Sequence, residues 1–267
     1  MEVNKISIKF KGKSDWFYVV PIGDIHLGNA CCDIEKLQEM VEWVKKNKNV
    51  YWIGMGDYVD CINYSDKRFD PNTIDKKYMA NLSNCVSMQI EDIIAILAPI
   101  ADKCIGLHRG NHEETIRLRY QYDVMYKMWE AFKKPLLKDS AMTRLCFDDG
   151  KGHRSAFEIF STHGSCGGRK GGAKINRLED MITFADADVY LMGHNHIKAT
   201  ETKSTLYLDH QMNLKVKKRI LAVTGCFLHG YKEGITSYIE KWGFPPTDIG
   251  VVKLMFNPRK HDVHISE

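Results

Sequence analysis

Five short segments of this chain set acids, imidazoles and an amide beside glycine. They are Gly23-Asp24-Ile25-His26, Gly56-Asp57-Tyr58-Val59-Asp60, Arg109-Gly110-Asn111-His112-Glu113, Thr162-His163-Gly164 and Gly193-His194-Asn195-His196. Oxygen and imidazole donors in this mixture suit Mn, Fe or Zn, and the lack of cysteine among them argues against a structural zinc site. Two divalent cations held roughly 3.5–4 Å apart can polarise a phosphate and generate hydroxide near neutral pH. Holding them needs a carboxylate able to bridge, with imidazoles and oxygens to complete each shell. In Asp24-x-His26 and His194-x-His196, alternate residues of an extended segment would project to one side. Any one segment has a bland explanation: Asn111 could cap a helix, and Glu113 and Glu114 would suit its first turn. Five together, each beside glycine, point to a metal site.

These segments need elements that bring them together, and the apolar pattern supplies them. Residues 17–22, 50–55 and 104–107 read as buried strands, and each ends at one of the segments. A helix capped by Asp33, with Leu37, Met40, Val41 and Val44 on one face, follows the first strand, and helices follow the others at about 75–97 and 113–132, which gives a βαβαβα order with parallel strands. Ligands bind at the carboxyl edge of such a sheet. Beyond Pro135, residues 145–147 and 156–161 read as a hairpin. A helix at about 174–185, a strand at 189–192 and strands near 205–209, 219–224 and 249–256 complete the order. The expectation is an α/β fold of two mixed β-sheets packed as a sandwich and flanked by helices. It forms one domain over residues 1–267, with the hairpin at 135–160 and the strands of 200–267 completing the second sheet.

Composition narrows the partners. With 38 basic and 34 acidic residues the net charge is +4, which suits a phosphorylated substrate without demanding a polyanion. Eight cysteines occur, but with no C-x-x-C pair and several in apolar stretches they read as buried thiols. The first residues lack the apolar core of a signal peptide, and no stretch approaches a membrane span. The expectation is a cytoplasmic protein that makes no membrane contact; oligomeric state stays open.

The ordered set D-x-H, G-D-x-x-D, G-N-H-E, H and G-H-x-H resembles the signature of the calcineurin-like metallophosphoesterase superfamily, over residues 23–196. The resemblance implies a metal-dependent phosphoester hydrolase with two divalent ions, Mn first and Fe or Zn as alternatives. It implies that Asp24, His26 and His196 hold the first ion, that Asp57 bridges, and that Asn111, His163 and His194 hold the second. His112 would be the catalytic histidine beside the leaving group. Within the protein-phosphatase branch, Asp60 would orient His112 and raise its pKa, and Arg109 would contact the phosphate. That branch's later signatures are missing here, so the likeness supports the mechanism and not a phosphoprotein substrate. Direct in-line hydrolysis, with no covalent phospho-enzyme, follows.

For the substrate, the segment 165–174 offers Arg169, Lys170 and Lys174 among glycines directly after His163. Such a loop could hold a nucleic-acid backbone or a second phosphate, and Tyr58, Tyr64 and Phe69 could stack on a base. The leading expectation is a phosphodiesterase acting on nucleic acid or nucleotides. The alternatives are a phosphomonoesterase for phosphoproteins or small metabolites, or a metal-binding scaffold without activity, which would be expected to lack His112 or a bridging ligand. The basic run 215–219 reads as a solvated hairpin edge.

Overall fold

The computed structural model describes residues 1–12, 15–62, 64–66, 68–165 and 171–267. In chain order the elements are β1 (Glu2–Lys9), β2 (Phe17–Ile22), α1 (Ile34–Lys46), β3 (Val50–Gly54), α2 (Lys76–Met79), α3 (Cys85–Leu97), β4 (Cys104–His108), α4 (Asn111–Tyr120), α5 (Val124–Phe132) and β5 (Leu136–Lys138). Then come β6 (Ser140–Asp148), β7 (Arg154–Thr162), α6 (Gly171–Ile182), β8 (Val189–Met192), β9 (Lys198–Leu208), β10 (Leu214–Cys226), α7 (Tyr238–Lys241), β11 (Gly250–Val251), β12 (Lys253–Asn257) and β13 (Asp262–Ser266).

The strands form two mixed sheets. One has the order β13-β12-β2-β3-β4-β5; the other runs β1-β6-β7-β8-β10-β11, with β9 paired to β10. The sequence explains the layering. Along β2 the side chains alternate between two cores: Phe17 and Val19 pack between the sheets, whereas Val20 and Ile22 face α1 and α3. A strand buried on both faces reads as a continuous apolar run, which is why residues 17–22 and 50–54 are legible. A third, smaller core sits where Leu178 of α6 covers Tyr190, Leu221 and Val223 of the second sheet.

Several expectations are corrected. The strands of 200–267 do not all complete the second sheet: β12 pairs antiparallel with β2, and β13 with β12, so both belong to the first. The expected strand at 249–256 breaks at Val252 into β11 and β12, one in each sheet. The helix expected over 75–97 is interrupted after Met79, with Asn81 outside helical geometry at φ −145°. That over 113–132 divides at Gln121, which is left-handed at φ 55°, before Asp123 caps α5 through the Tyr126 N–H. β1 has no counterpart in the sequence reading; it pairs parallel with β6 along its whole length. The helical run Leu82–Lys103 also reaches, by length and composition, what a membrane span requires. Its Ile90, Ile93, Leu97 and Ile100 lie in the first core, as those of a core helix would.

Seven cysteines among the described residues are unpaired, six of them buried. Cys166 lies outside those residues.

At the end of β4, His108 is fully buried, its Nδ1 2.9 Å from the Lys138 carbonyl and its Nε2 2.8 Å from Ser161 Oγ. Burial pushes its pKa down to about 4, so the unfolded chain takes up this proton first as pH falls. Stability is therefore lost as pH drops from about 6.5 toward 4, on the order of 3 kcal/mol. Urea unfolding at stepped pH should show a steeper acid loss for the wild type than for His108→Gln; equal slopes would remove His108 as the cause.

Candidate metal centre

All five segments meet at one place. β2, β3 and β4 are parallel neighbours, so the chain after each leaves the same sheet edge with Asp24, Asp57 and Asn111. β7 and β8 are also parallel, and deliver His163 and His194 from the other sheet. Backbone bonds stitch the turns together: Asp24 N–H donates to Gly56 O at 2.9 Å, His26 N–H to Asp57 O at 3.0 Å, and Phe227 N–H to Asp24 O at 3.0 Å.

The local backbone is not extended. Asp24, His26, Asp57, His194 and His196 all have φ between 49° and 68°, the left-handed region that costs an L-residue roughly 1–2 kcal/mol. D-x-H and H-x-H thus converge by tight turns and not by strand alternation, and strain of this kind clusters at functional sites. The neighbouring glycines permit the turns. A Cβ on Gly110 would lie 2.1 Å from Asp57 Oδ1, and one on Gly56, itself at φ 90°, would lie 2.6 Å from Gly110 N.

Asp57 is the centre of the arrangement. Its Oδ1 accepts the His112 N–H at 3.0 Å, while Oδ2 lies 3.4 Å from His163 Nε2 and 3.8 Å from His26 Nε2. On one side, His26 Nε2 faces His196 Nε2 at 3.0 Å, with Asp24 Oδ1 3.5 Å from His196 Nε2. On the other, Asn111 Oδ1 lies 2.8 Å from His194 Nδ1 and 3.1 Å from His163 Nε2. The residues fit divalent ions. Asp24 Oδ1 is buried with no hydrogen-bond partner, and two imidazole nitrogens bound to one ion at about 2.0–2.1 Å each would sit roughly 3 Å apart. His163 Nδ1 is 2.7 Å from the Met55 carbonyl, which fixes the proton there and leaves Nε2 for an ion.

The charges tell the same story. Burial disfavours a charged His163, but Asp57 and Asp24 outweigh it and push its pKa up to about 10. Burial likewise works against the Asp57 carboxylate, yet the surrounding imidazoles hold it well below the usual range. Buried acids that recruit protons onto imidazoles are acids in need of cations. Burial lowers His26 and His194, which favours the neutral ring that can ligate.

Two expected roles meet a different geometry. Asp60 touches His112, but through its backbone: His112 Nδ1 is 2.5 Å from the Asp60 carbonyl oxygen and 3.8 Å from its carboxylate. The carboxylate is nearer His26, at 3.4 Å from Nδ1. Arg109 turns away from the cavity. Its guanidinium pairs with Glu114 at 3.0 Å and Asp139 at 3.1 Å, because two acids beside it offer a fork a closer match. Lys174 lines the cavity over the site and donates to Asn195 O at 3.2 Å. Arg169 and Lys170 lie outside the described residues. Tyr58 cannot stack on a base, since it is buried with its hydroxyl donating to His108 O. Phe69 packs on Ile74 and Tyr78, and Tyr64 is exposed.

The contacts of three residues escape the sequence reading. Arg68 lines the cavity with Nη1 3.1 Å from His112 Nε2, held from behind by Asp66 at 2.8 and 3.1 Å. Tyr238 places its hydroxyl 3.1 Å from His196 Nδ1, a partner able to accept a proton held on that nitrogen, the tautomer that leaves Nε2 for an ion. The buried Glu113 accepts N–H bonds from Asp57, Tyr58 and Gly110 at 2.7–2.9 Å, clamping the Asp57 turn. Glu113 carries a motif position as its signal, whereas nothing in the spacing marks Arg68 or Tyr238. The cavity over the site is about 390 Å³, walled beyond His196 by Tyr238, Trp242 and Phe244.

No curated protein matches the chain. Among solved structures, the NAD nucleotidase (NadN) of Haemophilus influenzae is similar at 12% identity and a TM-score of 0.43, over 96% of this chain and 50% of that one. This chain therefore spans half that protein's length. A metallophosphoesterase from Sphaerobacter thermophilus is similar at 12% identity and a TM-score of 0.36, over 94% and 89%. The calcineurin-like phosphoesterase family model matches residues 17–198, a stretch holding every motif residue above, and the chain belongs to that family of metal-dependent phosphoester hydrolases.

Proposed function

We propose that the chain is a dinuclear phosphodiesterase for nucleotides or nucleic acid, and the position of Asp57 carries the reading. One carboxylate oxygen is anchored by the His112 N–H while the other faces imidazoles of both clusters, as a bridging ligand requires. Asp24, His26 and His196 would hold one ion, and Asn111, His163 and His194 the other, with Asp57 shared. The donor set suits Mn first, with Fe or Zn as alternatives. Such ions act as Lewis acids on phosphate and lower the pKa of water.

The chain's own groups do the rest. His112 keeps Nδ1 on the Asp60 carbonyl and so presents Nε2 to the cavity, where the doubly protonated ring can give a proton to the departing oxygen once Arg68 Nη1 has turned to the phosphate. Arg68, fixed by the two-point contact with Asp66, presents Nη1 at the same spot, 3.1 Å from His112 Nε2, where it can turn to phosphoryl oxygens when a substrate is bound. A cavity of about 390 Å³ is of nucleotide scale, and the aromatic wall of Trp242 and Phe244 beside it suits a base. The unpaired buried cysteines fit a reducing compartment.

Purified protein should bind two Mn per chain and cleave bis-p-nitrophenyl phosphate and a short oligonucleotide. Cleavage of p-nitrophenyl phosphate alone would favour the monoesterase alternative. Arg68→Ala should lower kcat/KM on the diester by about 10- to 100-fold, the value of a charged hydrogen bond, with metal content unchanged. Arg109→Ala should change it only a few-fold. The reverse ranking would return the phosphate contact to Arg109.

A further inference from the structure

Lys174 stands on a side of the cavity to which the diesterase reading gives no task. It belongs to α6, which is seated on the second sheet through Leu178, fully buried with Tyr190, Leu221 and Val223. Residues four apart share a helix face, so Lys174 lies one turn before Leu178 on the face turned to the sheet. The chain after β8 curls tightly there. Asn195 N–H and Nδ2 both donate to Gly193 O, at 2.9 and 3.1 Å, and His194 and His196 take φ of 68° and 53°. Lys174 Nζ donates to the Asn195 carbonyl at 3.2 Å. The ammonium is thereby fixed to the residue between His194 and His196, one from each ion cluster, and it lines the same cavity.

Two further cations line the cavity from a different wall. Arg68 reaches His112 Nε2 from the segment between β3 and α2, and Lys241 pairs with Asp70 of that segment at 2.5 Å. His112 and Arg68 serve the departing oxygen and the scissile phosphate. A diester has a second arm, which stays with the phosphorus, and it must leave the ions by a side other than the one these two residues occupy. The Asn195 turn of the second sheet is such a side, and Lys174 gives it a positive charge. A compact ammonium on a flexible stem can exchange a neutral carbonyl for a phosphate oxygen, because the bond between two charged groups is the stronger.

We propose that Lys174 binds a second phosphate, carried on the arm that the enzyme retains, so that the favoured substrate is a nucleotide or strand with a phosphate beyond the scissile one. The inference rests on the diesterase reading and narrows its substrate. Lys174 touches no reacting atom; it selects which diesters bind. A cyclic mononucleotide, or a metabolite with one phosphate, lacks the group that it recognises.

Chromogenic diesters with one leaving group test this. The p-nitrophenyl ester of thymidine 5′-phosphate is compared with and without a 3′-phosphate, and the ester of thymidine 3′-phosphate with and without a 5′-phosphate. p-Nitrophenolate departs from all of them, so only the retained arm differs. With the Mn-loaded wild type the added phosphate should raise kcat/KM about 10-fold in at least one pair, mainly through KM, as one charge-assisted contact would. That advantage should shrink as salt is added. Lys174→Ala should bring the ratio within the pair close to one, and Lys174→Arg should keep most of it. Wild-type ratios near one in both pairs overturn the proposal while the diesterase reading stands. An undiminished ratio in Lys174→Ala overturns it too, because a lysine that only supports the Asn195 turn would lower both esters of a pair alike. A wild type that cleaves none of these esters removes the nucleotide diesterase reading itself, and this inference with it.

Discussion

Asp57→Asn should lose about 10³-fold or more in kcat/KM and bind one metal ion per chain or none. The reason is that the carboxylate does two things at once. Oδ1 holds the His112 N–H at 3.0 Å, and Oδ2 stands 3.4 and 3.8 Å from imidazoles of the two clusters. An amide has a single oxygen for these tasks and would turn an N–H toward one of them. It also removes a negative charge from a buried site where His163 is pushed up to about 10 against burial, chiefly by this carboxylate. Loss of the several kcal/mol that a properly held ion contributes corresponds to at least about 10³ in rate. Metal content by mass spectrometry and kcat/KM on a diester would be read together, with near-ultraviolet circular dichroism checking that the fold survives. Glu113→Gln is the sharp comparison: it leaves the Asp57 carboxylate in place and weakens only the clamp behind it, since its one side-chain oxygen can accept either from Tyr58 or from Asp57 and Gly110, which bond to different Glu113 oxygens, so it should lose less than Asp57→Asn. If Glu113→Gln lost its metals while Asp57→Asn kept both, the bridging assignment would be wrong.

What the sequence shows of this site is what chain-local chemistry can show. The residues stand beside glycines because the turns after β2, β3 and β8 need left-handed backbone and close approach, as at Gly56 and Gly110. Those requirements leave a mark in the sequence. The strands carrying them are buried on both faces and read as apolar runs. The partition of the C-terminal strands is illegible because it depends on β12 finding β2 across more than 200 residues, and nothing local to 249–257 encodes that choice. The helix breaks at Asn81 and Gln121 fall where apolar periodicity continues across a change of direction. Arg68 and Tyr238 are missed for a related reason: each reaches a histidine from a segment 42 or 44 positions away, and neither has a spacing rule to announce it. Arg109 shows the converse. Its motif context was suggestive, but Glu114 and Asp139 offered closer partners.

His112→Gln and Asp60→Asn should fail in different ways, and the difference decides how the histidine is held. His112→Gln should lower kcat by about 10²–10⁴-fold, the usual value of a positioned proton donor, while keeping both ions, since none of the cluster contacts of Asp24, Asp57 or Asn111 runs through its ring. Added metal should not rescue it. Asp60→Asn retains the backbone carbonyl on which His112 Nδ1 rests, so its kcat at saturating metal should fall by less than about tenfold. Its carboxylate instead faces His26 Nδ1 at 3.4 Å, where, on the proposed metal assignment, its charge would steady a ligand ring and raise its basicity. Removing such a partner typically costs about 10- to 100-fold in metal affinity. Activity of Asp60→Asn should therefore return as metal is titrated in. If the carboxylate were the true partner of His112, the two variants would share one kcat defect and neither would respond to metal. Titrating Mn against both, with bound metal and turnover measured on the same samples, separates a histidine anchored by the main chain from one anchored by an acid.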